Sequence, residues 1–271
     1  MQFTYATRPG SDKANEDFVG GVGETAVLLD GAGGPAELAN GCVHGTPWYV
    51  RSLGLQLFAQ LSNEPDVPLA GLLAQSIAHV ADLHRDTCDL AHPGSPSSTV
   101  AALRARDAEV DYLVLSDAVV VLDLDEGVRA FTDRRIDQLG IPTRERMRHL
   151  ATGSAAHQEQ RLQLVQEQRQ WRNRPGGHWV AAASPDAAYQ AITGTVPKDR
   201  LHQAALLSDG AGRYVEFELG SWETLIEFLN GHGPAALIDR VRQAEDSDPW
   251  GERWPRTKRH DDASVLLAKF G

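Results

Sequence analysis

The sequence has little sulfur and no long apolar run. Only two cysteines, Cys42 and Cys88, occur in 271 residues, which excludes a framework held by several disulfides. No apolar stretch approaches the roughly 18–20 residues that span a bilayer. The opening MQFTYATRPG lacks the basic start and apolar core of a secretory signal. A cytoplasmic protein with reduced thiols is therefore expected, with both cysteines as ordinary packing residues. Cys42 and His44 stand at C-x-H spacing in GCVHGTPW, but no second pair at ligand spacing is evident, so no zinc site is expected. Positive charge is scarce too. Lys and Arg number 26 against 37 Asp and Glu, a formal charge of -11, which argues against nucleic acid or an anionic membrane as the main partner. A phosphate-cradling fingerprint is also missing: GAGG at Gly31–Gly34 is neither G-x-G-x-x-G nor part of a G-K-[ST] loop.

What is present is the composition of a globular chain, 42% hydrophobic and 23% charged, long enough to bury a sizeable core. Strands are expected at Met1–Thr7, Phe18–Gly23, Thr25–Leu29, Thr99–Arg104, Asp111–Leu115, Val119–Asp123, Val128–Thr132, His178–Ala183, around ALLSDG (Ala205–Gly210) and at Ala263–Phe270. Short connections between several of them favour antiparallel pairing. Helices are expected from Thr46, as N-cap ahead of Pro47, through Leu61; over Pro68–Arg85; and as a pair, Trp222–Leu229 and Pro234–Ala244. A small helix is expected around Pro185–Thr193. This is a layered α+β architecture. Residues 133–177 differ: they are Arg- and Gln-rich, with nine arginines against five acidic residues. They read as a helical insertion, either a solvated face or a cover near an anionic substrate.

Three apolar strands end on aspartate: Asp30 in AVLLDGAGG, Asp117 in YLVLSD and Asp209 in ALLSDG. Two more begin just after one, Asp17 in NEDFVGGV and Asp261 in HDDASVLL. A single such aspartate is usually a turn former. Five, if the strands are neighbours, put carboxylates on one edge, where they cannot all stay ionised without a cation. The donors are nearly all oxygens, with His260 the one adjacent imidazole, which suits Mg²⁺ or Mn²⁺ better than Zn²⁺. Two such ions lower the pKa of a shared water and so support phosphoryl chemistry.

NED (Asn15–Asp17), DGAGG (Asp30–Gly34), SSTV (Ser97–Val100), LSD (Leu115–Asp117), LLSDG (Leu206–Gly210) and DDAS (Asp261–Ser264) together resemble, in order and spread, the metal-dependent protein phosphatases of the 2C type, bacterial-like. The resemblance implies one domain over 1–271, a four-layer α-β-β-α sandwich of two antiparallel sheets flanked by helices, with the insertion at about 133–177. It implies hydrolysis of phosphoserine or phosphothreonine in a protein substrate by a metal-bridging hydroxide. Two Mn²⁺ or Mg²⁺ would be held by Asp30 and the Gly31 carbonyl, by Asp209 and Asp261, and by Glu16 and Asp17 directly or through water. Asp117 would support a third, weaker ion. Asp30, Asp209 and Asp17 are the implied catalytic set. The family's phosphate-gripping Arg is replaced by Asp12, leaving Arg8, Lys13 and Arg213 as candidates, and Arg213 stands where many members have an Asp. Two alternatives follow from these departures: a weak or inactive binding module with this fold, or a hydrolase of small phosphate esters.

Overall fold

The computed structural model describes residues 1–35 and 37–270. Ten strands form two antiparallel sheets of five. One sheet has the order β2 (Asp17–Val22), β3 (Thr25–Ala32), β4 (Ser97–Ala105), β5 (Glu109–Leu115) and β8 (Ile192–Pro197). The other has β1 (Gln2–Arg8), β10 (Ala263–Lys269), β9 (Leu201–Leu207), β6 (Val119–Leu124) and β7 (Gly127–Phe131). The central strands are apolar on both faces because both faces are covered. Outward residues such as Val27, Leu29 and Leu113 of β3 and β5 pack under α1 (Thr46–Asn63) and α2 (Leu69–His84). Their inward neighbours Ala26, Leu28 and Leu103 meet Val120, Leu122, Leu206 and Leu266 between the sheets. On the far side Val121, Ala205 and Val265 pack under α5 (Asp209–Glu216) and α6 (Trp222–Ser247). The result is the four-layer α-β-β-α sandwich expected from the sequence. No described helix is long and apolar enough to cross a membrane.

Local details depart from the sequence reading where long-range pairing decides. Gly45, at φ 77° and ψ 171°, caps α1 in place of Thr46, whose side chain is instead buried. The helix pair expected over 222–244 is present by contrast: the two helices meet at Gly233, φ 80° and ψ 170°, and Pro234 opens the second, where its missing N–H breaks no helical hydrogen bond. His178–Ala183 makes only two isolated bridges, Ser98 to Ala181 and Arg172 to His178, because it reaches only the end of β4. The edge beside β5 is taken by ITGTVP, Ile192–Pro197, where the small helix was expected to end. Its proline disguises it as a turn, yet an edge strand tolerates proline.

The insertion folds as a short 3-10 turn (Arg135–Gln138), α3 (Ile141–Arg148) and α4 (Ala155–Gln170). It is anchored to the body rather than freely solvated. Arg169 donates to the carbonyls of Gly33 and Ala39, and Arg172 to those of Ser95 and His92. His178 closes the segment, with Nε2 3.3 Å from the Gln168 carbonyl and Nδ1 buried without a partner. Burial holds its pKa down to about 4, with the charges of Arg172 and Arg135 adding to the effect. Between the unfolded value near 6.5 and the folded one, the unfolded chain binds more protons. Stability is therefore full above about pH 6.5 and is lost as pH falls toward 4, by up to about 3 kcal/mol. In urea titrations across this window, His178→Gln is expected to flatten the pH dependence relative to wild type. An unchanged slope would mean that His178 is not held neutral.

Candidate metal centre

β2 and β3 are paired so that Asp17 lies directly opposite Asp30, and Thr99 of β4 lies opposite Asp30 on its other side. Asp117 follows β5. Asp209 opens α5 immediately after β9, and Asp261 precedes β10. One end of each sheet thus delivers carboxylates to a common place. The Asp209 amide lies 3.4 Å from Asp30 Oδ2, and Asp30 feels the charges of Asp209, Asp17, Asp261 and Asp117 together.

The electrostatics are those of an acidic nest short of cations. Burial, reinforced by these neighbouring carboxylates, raises Asp30 well above the usual range. Burial pushes Asp17 up to about 8, with Asp209 and Asp262 adding to it. Asp117 rises to about 7, first through burial and then through Asp209. Asp209 is raised too, by burial and then by Asp261. Both carboxylate oxygens of Asp17 are buried without a hydrogen-bond partner, although buried polar atoms nearly always have one. Hard oxygen donors in excess of their hydrogen bonds fit a divalent cation. The backbone agrees with this fit. A Cβ on Gly31 would come 2.5 Å from the Glu16 carbonyl, and one on Gly210 would come 2.0 Å from that of Asp262. Both Asp-Gly steps therefore need glycine so that these segments can approach closely. Ser116, in LSD, holds φ 65°, a strained conformation for a residue with a Cβ, and its side chain donates to Asp117.

Asp261 behaves differently. Burial would raise it, but the Lys258 ammonium and the Arg213 guanidinium hold it below the usual range. Lys258 Nζ lies 2.5 Å from Asp261 Oδ1, and Arg213 Nη2 lies 3.6 Å from Oδ2. Lys258 also feels Asp209 and Asp30, so its ammonium stands at the edge of the nest. It was not among the residues expected from the sequence; the signal was the basic run before Asp261, RTKRH. Asp262 is a second such residue. Its carboxylate accepts from the amides of Gly10 and Glu16 at 2.7 and 2.6 Å, clamping the loop that carries Glu16 and Asp17.

The expected phosphate contacts are placed unequally. Arg213, expected as a candidate, is only 5% exposed and is locked to Glu245 and Asp261, so it braces the site from behind. Arg8 pairs with Asp239 at 2.5 Å in an exposed contact. Lys13 is exposed on the loop between β1 and β2. His260 pairs with Asp246 at 3.0 Å, and His44 lies away from the carboxylates, against Trp48 and both cysteines. Among the described residues, the one group of three or more His, Cys or acidic side chains whose ligand atoms all lie within 4.8 Å of one another is Cys42, His44, His84 and Cys88.

No family model matches the sequence, and no curated protein matches it. Solved structures do. The serine/threonine phosphatase PstP/Ppp of Mycobacterium tuberculosis is 16% identical, with a TM-score of 0.59 over 99% of this chain and 98% of that one. The catalytic domain of PstP in complex with two manganese ions is 17% identical, with a TM-score of 0.57 over 99% of this chain and 97% of that one. The PPM Ser-Thr phosphatase MsPP of Mycobacterium smegmatis, in complex with cacodylate, is 15% identical, with a TM-score of 0.57 over 100% of this chain and 99% of that one. From end to end, this chain has the fold of the bacterial PPM-type serine/threonine phosphatases.

Proposed function

We propose that the protein is a metal-dependent phosphatase acting on phosphoserine or phosphothreonine in a protein substrate. The observation that carries the reading is the nest of Asp17, Asp30, Asp117, Asp209 and Asp261, drawn from both sheets, with both Asp17 oxygens buried and unpaired. The match to a neighbour described with two manganese ions supports it. Two Mn²⁺ or Mg²⁺ would be held by Asp30, the Gly31 carbonyl, Asp209, Asp261, Glu16 and Asp17, with Asp117 supporting a third. Such ions supply Lewis acidity and a water of lowered pKa. The chain's own residues do the positioning. Asp30 spans the two sheets' contributions, Asp262 fixes the Glu16–Asp17 loop, and Arg213 orients Asp261. Lys13, exposed on the loop between β1 and β2, offers charge that draws in a phosphate dianion, and Arg8 would do so on leaving Asp239. The Arg169 end of the insertion, resting on the Gly33 and Ala39 carbonyls, forms one wall of the approach.

The test is hydrolysis of an aryl phosphate with and without Mn²⁺, followed by EDTA, then a panel of phosphoserine, phosphothreonine and phosphotyrosine peptides. Turnover that needs Mn²⁺, is lost in EDTA and prefers the first two peptides is the expected result. Turnover of the small ester alone would indicate a small-molecule esterase, and none at all in folded protein would indicate a binding module.

Lys258 gives a more specific expectation. Its ammonium competes with a metal ion for Asp261. Lys258→Met is expected to lower the Mn²⁺ concentration for half-maximal activation about tenfold, one charge's worth of attraction after solvent screening. If the mutation raises KM for the phosphopeptide and leaves metal activation unchanged, Lys258 serves the phosphate instead.

A further inference from the structure

Cys42 and His44, on the loop before α1, face His84, the last residue of α2, and Cys88 in the turn that follows it. The sequence reading set zinc aside because only the C-x-H pair was evident. The second pair is His84 and Cys88, four residues apart in HRDTC, and the fold brings it opposite the first. Cys42 Sγ lies 3.3 Å from Cys88 Sγ, 3.6 Å from His84 Nδ1 and 3.9 Å from His44 Nδ1. Cys88 Sγ lies 3.4 Å from His44 Nδ1. A tetrahedral zinc ion with ordinary Zn–S and Zn–N bonds spans ligand-to-ligand edges of about 3.4–3.8 Å. The observed separations bracket those edges. The sulfurs are well beyond the ~2.05 Å of a disulfide, and both thiols are free.

We propose that Cys42, His44, His84 and Cys88 form a structural zinc site, ligating through two thiolates and two Nδ1 atoms, that clamps the loop between β3 and α1 to the end of α2. Two sulfurs and two imidazole nitrogens in a tetrahedral array select zinc among the common divalent ions. Four protein ligands leave no open position, so the site is structural rather than catalytic. On binding, each thiol releases its proton to solvent and nothing is oxidised or reduced.

The surroundings hold the ligands in place without the ion. The Cys88 and Thr87 amides donate to the His84 carbonyl at 3.0 and 3.2 Å, which fixes the turn. The Asp89 amide donates to the Gly41 carbonyl at 2.8 Å, and Asn40 Oδ1 accepts from the Cys42 amide at 3.0 Å. Trp48 roofs the site, its ring stacked on His44 at 4.4 Å and 5.0 Å from His84, a shell that limits solvent access. The clamped loop leads from Gly31–Gly34 into Thr46, whose side chain crowds both Gly31 and Gly33. The ion would therefore brace the backbone on which Asp30 sits while remaining separate from the carboxylates.

The test is made on the full chain, purified without added chelator. Metal analysis is expected to find one zinc per molecule, released stoichiometrically as a mercurial blocks the thiols. Cobalt(II) titrated into the metal-free protein is expected to give a sulfur-to-cobalt charge-transfer band and strong visible absorption, which an all-oxygen site cannot produce. Cys42→Ser/Cys88→Ser should lose both signals. His44→Ala, at the exposed rim, should stay folded and need at least about tenfold more cobalt. Asp30→Asn should keep the zinc, so failure of the phosphatase reading leaves this result intact. The proposal is overturned if folded wild-type protein gives no thiolate band with cobalt, if the cysteine variants retain zinc, or if the thiols prove to be joined as a metal-free disulfide.

Discussion

Asp30→Asn is expected to reduce Mn²⁺-dependent turnover by a factor on the order of 10³, and to raise the melting temperature in chelator. The two effects have one cause. Asp30 is raised by burial and by four neighbouring carboxylates, so without metal its charge is a liability in the folded state. Asparagine keeps the shape and one acceptor oxygen for the Asp209 amide but removes the charge. Relief of about 1–2 kcal/mol corresponds to roughly 2–8 °C in a chain of this size. On the proposed reading, turnover suffers because asparagine withdraws a charged oxygen from the residues that would hold the two ions. Loss of a supporting outer group typically costs 10–100-fold, and a direct ligand costs more. Two measurements check this: kcat/KM on an aryl phosphate in saturating Mn²⁺, and thermal melts in EDTA. A variant that keeps its turnover would exclude Asp30 as a metal ligand. One that melts lower in EDTA would show that the nest carries no such repulsion.

Arg213→Met should do the opposite to stability. Its guanidinium is 6% exposed and pairs with Glu245, whose side chain is 0% exposed, and with Asp261. Arg242 Nη1 also reaches Glu245, at 2.7 Å, but one cation then serves a carboxylate that had two. Breaking a buried pair from one side costs about 3–5 kcal/mol, because the remaining charge is stranded; replacing both sides with apolar groups costs far less. Arg213→Met should therefore lower the melting temperature by roughly 6–20 °C, and Arg213→Met/Glu245→Met should recover most of it. The double-mutant cycle measures the coupling directly. An arginine that gripped substrate phosphate would instead raise KM with little change in the melt. A stable Arg213→Met with raised KM would restore the role expected from the sequence.

These two residues show where legibility in the sequence stops. Asp30 was legible because its signal is local: an apolar run ends in a carboxylate followed by glycine, and the same pattern recurs at Asp209. Arg213 was not, because its environment is made by Glu245, 32 residues on, at a helix position that reads only as amphipathic. Asp262 carries no role readable from its sequence; the fold brings the Gly10 and Glu16 amides to it. The layers followed from strands too apolar to face water, whereas the edge strand 192–197 was hidden by its own proline. His84 and Cys88 were hidden by a helix end. A histidine in a last turn has an ordinary reading as a partner of the helix dipole, and nothing in the sequence says that another loop arrives opposite it.

The carboxylates are divided between the two halves of the sandwich: Asp17 and Asp30 lie on strands of one sheet, Asp209 and Asp261 flank strands of the other, and Asp117 sits in the turn that joins the two. What separates them is a layer of alanines, valines and leucines, among them Ala101, Leu103, Val120, Leu122 and Leu206. That layer is a ruler. Its thickness sets the span between the two sets of oxygens, and close-packed interiors transmit a lost or added methylene as displacement. A change of side-chain volume deep between the sheets thus retunes the acidic nest without touching a charged residue. The chemistry at the rim is calibrated by apolar groups that never meet it.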